Sequence, residues 1–72
     1  DYVKLSVDEY ETIRLIDHEG LSQEECGAYM NISRATVQRI YAAARKKIAL
    51  SLVGGLPLQI EGGDYQLKST AE

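Results

Sequence analysis

Residues 21–40 read LSQEECGAYMNISRATVQRI and predict two helices joined by a tight turn. Ser22 stands three residues before Glu25, which is the spacing of a capping box at a helix N-terminus. Ser33 is an N-cap candidate for the second helix, which would begin at Arg34. The stretch therefore has the spacing of a helix-turn-helix, in which two short helices cross at a fixed angle.

Three helices are predicted along the chain. The first covers about residues 7–18, after a capping box formed by Ser6 and Glu9, and the second covers about residues 23–30. The third is long, over about residues 34–53, because that stretch lacks Gly and Pro and is rich in Ala. One of its faces is apolar throughout and carries Val37, Ile40, Ala44, Ile48 and Leu52.

Two strand-like runs follow the third helix, at residues 56–61 and 64–68. Because they flank Gly62-Gly63, they predict a β-hairpin. A lone hairpin is marginally stable in water, so it should pair with residues 2–5 or with the same segment of a second chain. Such a hairpin would make the domain winged-helix-like.

The expected fold class is therefore mainly α, with a small C-terminal β-hairpin. Residues 1–53 form a helix-turn-helix domain of three helices, the third of them long. Residues 54–72 form a hairpin tail for dimerisation or packing. The chain begins with Asp1 rather than Met, so we expect it to be part of a longer protein.

The composition limits the protein to a few classes. With 72 residues the chain is one small domain with a thin core, and we expect a homodimer built from the second half of the long helix and the β segments. A single Cys cannot form an internal disulfide and suits the reducing cytoplasm, and no apolar run is long enough to cross a membrane.

The charge is distributed unevenly. The net charge of −3 by itself argues against a nucleic-acid partner. However, residues 1–32 carry −6, residues 33–60 carry +5 with no acidic residue, and residues 61–72 carry −2. The positive segment begins where the third helix begins, and this favours double-stranded DNA as a partner of that helix.

Four residues at the start of the third helix are not needed for its packing and have side chains that suit base contacts. An Arg side chain can bind guanine through two hydrogen bonds, Gln can pair with adenine, and the Ala methyl can contact the thymine methyl. The alternative is that the charged ones are only solvated on a helix face. The expected base-contacting residues are Arg34, Ala35, Gln38 and Arg39.

Six further residues are candidates for contacts with DNA phosphates. A simpler interpretation stays open for each: helix capping for the hydroxyl residues and a solvated charge for the basic ones. The candidates are Ser22, Gln23, Ser33, Thr36, Arg45 and Lys46. One His and one Cys cannot form a catalytic triad or a zinc site, so we expect no enzymatic activity, metal or cofactor.

Residues 21–40 resemble the helix-turn-helix of bacterial regulators and of sigma-factor region four. Over residues 4–63 the chain resembles a prokaryotic family of predicted DNA-binding proteins, domain-of-unknown-function family one hundred and thirty-four. The segments SRATVQRI, ARKKIA and IEGG are the most specific parts. Two positions depart from the usual motif: Asn31 stands where Gly is frequent in the turn, and Gly27 stands where Ala is usual.

This resemblance implies DNA binding and transcription-factor-like behaviour, without a known ligand or operator. The expected function is sequence-specific binding of double-stranded DNA by a transcriptional regulator, with a recognition helix that starts at Arg34. One alternative is a sigma-like protein-interaction module of the transcription machinery that uses the acidic residues between 8 and 25. Another is the DNA-binding part of a larger enzyme.

Overall fold

The computed structural model describes residues 1–62 of the chain. Within them the fold contains three helices and two short strands, which confirms the mainly helical fold class. The first helix, α1, is an α-helix over Val7–Thr12 and continues as a π-helix over Ile13–His18. The other elements are β1 (Val3–Leu5), α2 (Gln23–Met30), α3 (Arg34–Gly54) and β2 (Leu58–Ile60).

Both predicted capping boxes are present. At the start of α1, the Ser6 hydroxyl accepts a hydrogen bond from the Glu9 amide at 3.1 Å, and the Ser6 amide donates to Glu9 Oε1 at 2.9 Å. At the start of α2, Ser22 and Glu25 form the same pair of bonds, at 3.0 and 2.8 Å. Each box provides acceptors for two backbone N–H groups that would otherwise lack partners, so both helix starts are set locally.

The turn between α2 and α3 is as tight as the sequence predicts. Asn31 adopts the left-handed conformation with φ 62° and ends α2, and Ser33 caps α3 by accepting a hydrogen bond from the Thr36 amide at 3.1 Å. The Ile32 amide donates to the Gly27 carbonyl at 2.9 Å. A Cβ atom on Gly27 would lie 2.7 Å from the Ile32 carbonyl oxygen, so the absent side chain permits this close approach.

A small apolar core joins the three helices. Leu15 of α1, Cys26 of α2 and Val37 of α3 are buried together. Partly buried side chains surround them, namely Ile16, Leu21, Met30 and Ile32. Because these positions lie on both sides of the turn, they fix the orientation of α3 against the rest of the domain.

The two strands form a parallel pair. Val3 pairs with Leu58, and Leu5 pairs with Ile60, so β2 lies beside the N-terminal strand as expected for residues 2–5. Parallel strands need a long connection, and here all three helices form it. The expected second strand of the hairpin, at residues 64–68, lies outside the described residues.

Candidate nucleic-acid interface

The outer face of α3 carries the four residues expected to contact bases. Arg34, Ala35, Gln38 and Arg39 are all exposed, and their spacing places them on one side of the helix. The opposite side is held by Val37, which is fully buried. The structure therefore brings the four predicted base-contacting residues together on one surface.

The polar side chains of this face fall in two rows along α3. At 100° per residue, Arg34, Gln38 and Arg45 lie along one edge, and Arg39 and Lys46 lie along the other. Within residues 1–62, neither Arg34 nor Arg39 forms an ion pair. The strip between the rows is formed by exposed alanines at seven-residue intervals, which are Ala35, Ala42 and Ala49.

The predicted phosphate-contacting residues with hydroxyl or amide side chains are more scattered. Ser22 and Ser33 are exposed at the N-termini of α2 and α3, where their hydroxyls cap the helices, and Gln23 is half-buried. The Thr36 hydroxyl lies 2.9 Å from that of Ser33, but Thr36 is half-buried and lines a cleft with Ile40 and residues of α1. Thr36 therefore lies away from the two rows.

The charge of Lys47 is directed away from the outer face. Its Nζ donates to Glu9 Oε1 at 2.8 Å, and Glu9 is only 8% exposed. Burial alone would raise the pKa of Glu9, but the hydrogen bond from Lys47 and that from the Ser6 amide outweigh burial and hold the pKa below its ordinary value. Lys47 thus ties α3 to α1 and does not add to the surface that carries the two rows.

A cluster that sequence reasoning missed lies beside Arg45. The Tyr41 hydroxyl donates to Asp17 Oδ1 at 2.6 Å, and Arg45 Nε lies 3.5 Å from Asp17 Oδ2. The Arg45 guanidinium also lies 5.5 Å from the centre of the Tyr41 ring. The one-turn spacing of Tyr41 and Arg45 predicts that these two side chains are neighbours, but their contact with Asp17 of α1 depends on tertiary packing.

A second surface feature is an acidic cleft of about 360 Å³ where α1 meets α2 and α3. Arg14 lies close to this cleft, donates to Glu11 at 2.6 Å and has its guanidinium 5.9 Å from the centre of the Tyr29 ring. The hydrogen bond to Glu11 raises the pKa of Arg14 further above its ordinary value. The residues lining the cleft are Asp8, Glu11, Tyr29, Met30, Ile32, Thr36 and Ile40.

The described part of the chain holds neither a cluster of metal ligands nor a membrane-spanning helix. Among residues 1–62, no three His, Cys, Asp or Glu side chains lie together as metal ligands would. No helix in that range combines the length and the apolar character needed to cross a bilayer.

The chain is similar to a group of proteins without an assigned activity. Residues 1–68 match the family described as "Protein of unknown function DUF134". A UPF0251 protein of Desulfitobacterium hafniense is 68% identical over 65 residues, which cover 90% of this chain and 52% of that protein. A UPF0251 protein of Halothermothrix orenii is 55% identical over 65 residues, which cover 90% and 48%.

The similarity covers only part of these relatives. A UPF0251 protein of Clostridium novyi is 52% identical over 63 residues, which are 88% of this chain and 43% of that protein. The chain spans about half the length of the curated relatives it matches. No solved structure matches the chain.

Proposed function

Since the chain belongs to the DUF134 family of proteins of unknown function, we propose a function from its geometry: sequence-specific binding of double-stranded DNA in transcriptional regulation. The observation that carries the proposal is the exposed face of α3. It presents four side chains suited to base contacts, and a basic row runs along each of its edges. The helix-turn-helix geometry of α2 and α3 supports the same conclusion.

In the proposed complex, the first turns of α3 enter the major groove. The groove is about 12 Å wide and admits one helix. The alanine strip allows the helix axis to approach the base edges, while Lys46 on one side and Arg45 on the other face the two phosphate backbones. Base contacts would come from Arg34, Gln38 and Arg39 in the first two turns of the helix.

The N-terminus of α2 provides a second contact in this proposal. Ser22 is exposed there, and because its capping box uses the Ser22 and Glu25 amides, a phosphate would meet the Gln23 and Glu24 amides, beside the acidic side chains of Glu24 and Glu25. A backbone phosphate is the group that such a helix start binds most readily. This contact would set the orientation of α3 without reading sequence.

The test is selection of bound duplexes from a random pool, followed by titration of the enriched duplex at two salt concentrations. We expect an enriched sequence and an affinity that falls steeply with added salt, because phosphate contacts release counterions. A double variant, Arg34→Ala with Arg39→Ala, is the control, since both side chains are exposed and free of ion pairs within residues 1–62. No enrichment together with salt-independent binding would refute the proposal.

A second candidate function is a protein-interaction module, and the acidic cleft favours it. Asp8 would bind a basic group of a partner whose apolar side chains contact Met30 and Ile32, whereas Glu11 is already paired with Arg14. The acidic surface is smaller than the sequence suggests, because Glu9 is buried and paired with Lys47. Asp8→Lys should abolish capture of such a partner, whereas Glu24→Lys on α2 should leave it unchanged.

A further inference from the structure

Asp17, Tyr41 and Arg45 form one connected group at the edge of the outer face of α3. Asp17 lies in the last turn of α1, which is a π-helix, and the other two residues lie one turn apart on α3. The wider turn of a π-helix changes the direction of its side chains from that of an α-helix, and such turns are frequent at functional sites. Asp17 here contacts both residues of α3 at once.

Each oxygen of the Asp17 carboxylate has a different neighbour. Oδ1 accepts the Tyr41 hydroxyl at 2.6 Å, and this short bond fixes the orientation of the carboxylate. Oδ2 is then directed towards Arg45 Nε, 3.5 Å away. The Arg45 guanidinium also lies over the Tyr41 ring, so Asp17 and Tyr41 contact Arg45 from two directions.

These contacts leave the outer part of Arg45 available. A guanidinium has five N–H donors, and the closest approach of Asp17 is to the one on Nε. Within residues 1–62, Asp17 is the only acid paired with Arg45, and 63% of the Arg45 side chain is exposed. Two amino groups in one plane are the arrangement that binds a phosphate through paired hydrogen bonds.

We infer that Asp17 and Tyr41 are positioning residues that hold Arg45 ready to bind a DNA phosphate. The inference rests on the proposed function. Arg45 lies on the same edge of α3 as Arg34, about 16 Å further along the axis, so it would meet the backbone that flanks the bases read by the first turn. A preordered arginine loses less conformational entropy when it binds.

The inference and simple electrostatics predict opposite effects of Asp17→Asn on the affinity for DNA. If Asp17 only repels DNA or neutralises Arg45, Asp17→Asn should tighten binding, because it removes a negative charge near the phosphates. If Asp17 positions Arg45, the same variant should weaken binding. Glu19→Gln is the matched control, because Glu19 is an exposed acid that directly follows α1 and is paired with Arg14, not with Arg45.

The experiment measures affinity for the selected duplex over a range of salt concentrations. We expect Asp17→Asn to weaken binding about threefold to tenfold, Tyr41→Phe to weaken it less, and Glu19→Gln to leave it unchanged or slightly tighter. Arg45→Ala should lower the salt slope by about one unit. Arg45→Lys should fail to restore wild-type affinity, because an ammonium lacks the planar pair of amino groups.

A double variant separates positioning from a structural effect. In the Arg45→Ala background, Asp17→Asn should no longer weaken binding, since there is no guanidinium left to position. Equal weakening in both backgrounds, or tighter binding by Asp17→Asn, would overturn the inference and leave the proposed function intact. A wild-type chain that binds no duplex in a salt-dependent way would overturn both.

Discussion

The buried carboxylate of Glu9 joins the start of α1 to α3. Its Oε1 accepts hydrogen bonds from the Ser6 amide at 2.9 Å and from Lys47 Nζ at 2.8 Å. A buried carboxylate with two donors is more stable ionised than protonated, which explains its lowered pKa. Glu9 therefore links the stability of the domain to pH.

The first prediction concerns this pH dependence. A carboxylate with a lowered pKa in the folded state stabilises the fold above its ordinary pKa of 4.5 and loses that contribution as the pH falls through the folded value. The free energy of unfolding, measured with urea at several pH values, should therefore fall below pH 4.5. Glu9→Gln should reduce this dependence, while Glu24→Gln, an exposed change on α2, should not. Identical pH profiles for wild type and Glu9→Gln would contradict the assignment.

The second prediction concerns Gly27. Gly27→Val should lower the free energy of unfolding by about 2 kcal/mol, because its Cβ would meet the Ile32 carbonyl oxygen at 2.7 Å. Helix propensity alone predicts the opposite sign, since Val is the better helix former. Ala28→Val is the matched control on the exposed side of α2 and should lower it by only about 0.5 kcal/mol. If Gly27→Val lowered the free energy of unfolding by less than Ala28→Val, contact with the Ile32 carbonyl oxygen would not be what requires glycine at position 27.

At the residue scale, the sequence predicts what depends on neighbours along the chain. The caps at Ser6, Ser22 and Ser33 and the left-handed Asn31 are all confirmed, because each is set within four residues. The pairs Glu9–Lys47 and Asp17–Tyr41 could not be predicted in this way. They depend on how far each helix is rotated against its neighbour.

At the scale of elements, the bounds of the helices agree with the predicted ones, but the form of α1 does not. Its predicted span of residues 7–18 is confirmed, yet its second half is a π-helix, in which the Glu19 amide donates to the Arg14 carbonyl at 2.9 Å. Apolar periodicity cannot distinguish the two helix forms over a single turn. The direction of Asp17, and with it part of the candidate site, was therefore outside the reach of sequence patterns.

The third prediction separates the roles of Arg39 and Lys46, which lie along one edge of the outer face of α3. Arg39→Ala should weaken binding to the selected duplex by about 1–3 kcal/mol and relax specificity at one base pair. Lys46→Ala should weaken all duplexes alike and lower the salt slope by about one unit. Both side chains are exposed, so the fold should be retained. Indistinguishable binding profiles for the two variants would show that this division of roles is wrong.

At the scale of the whole molecule, a homodimer stays a prediction. The last turns of α3 support it, because Leu50, Leu52 and Val53 are exposed, with Val53 at 90%. Beside them is an open groove of about 590 Å³, lined by the apolar residues Ile13, Ile48, Ala49 and Leu52 and by the charged residues Asp17, Arg45 and Lys46. Two copies joined through Leu50, Leu52 and Val53, with Arg45 and Lys46 left free for phosphates, would present two copies of α3 to half-sites about 34 Å apart.

The fourth prediction tests this interface. Leu52→Glu should shift the molecular mass seen in sedimentation equilibrium from dimer to monomer, because it buries an unpaired charge only in the dimer. Since Leu52 is 77% exposed, the fold itself should be unaffected. Ala43→Glu is the control, being an exposed change on the same helix away from the groove. A wild-type chain that is monomeric at high concentration would exclude the dimer.

The parallel pairing of β1 and β2 has a consequence for how the domain folds. Val3 and Leu58 meet only after the intervening chain, with all three helices, has been closed into one loop. Helix formation needs only local contacts, whereas closing this loop must overcome the entropy of nearly the entire described chain. The helices should therefore form first and β1 should pair with β2 last. The pairing of these two strands would then limit the rate of folding.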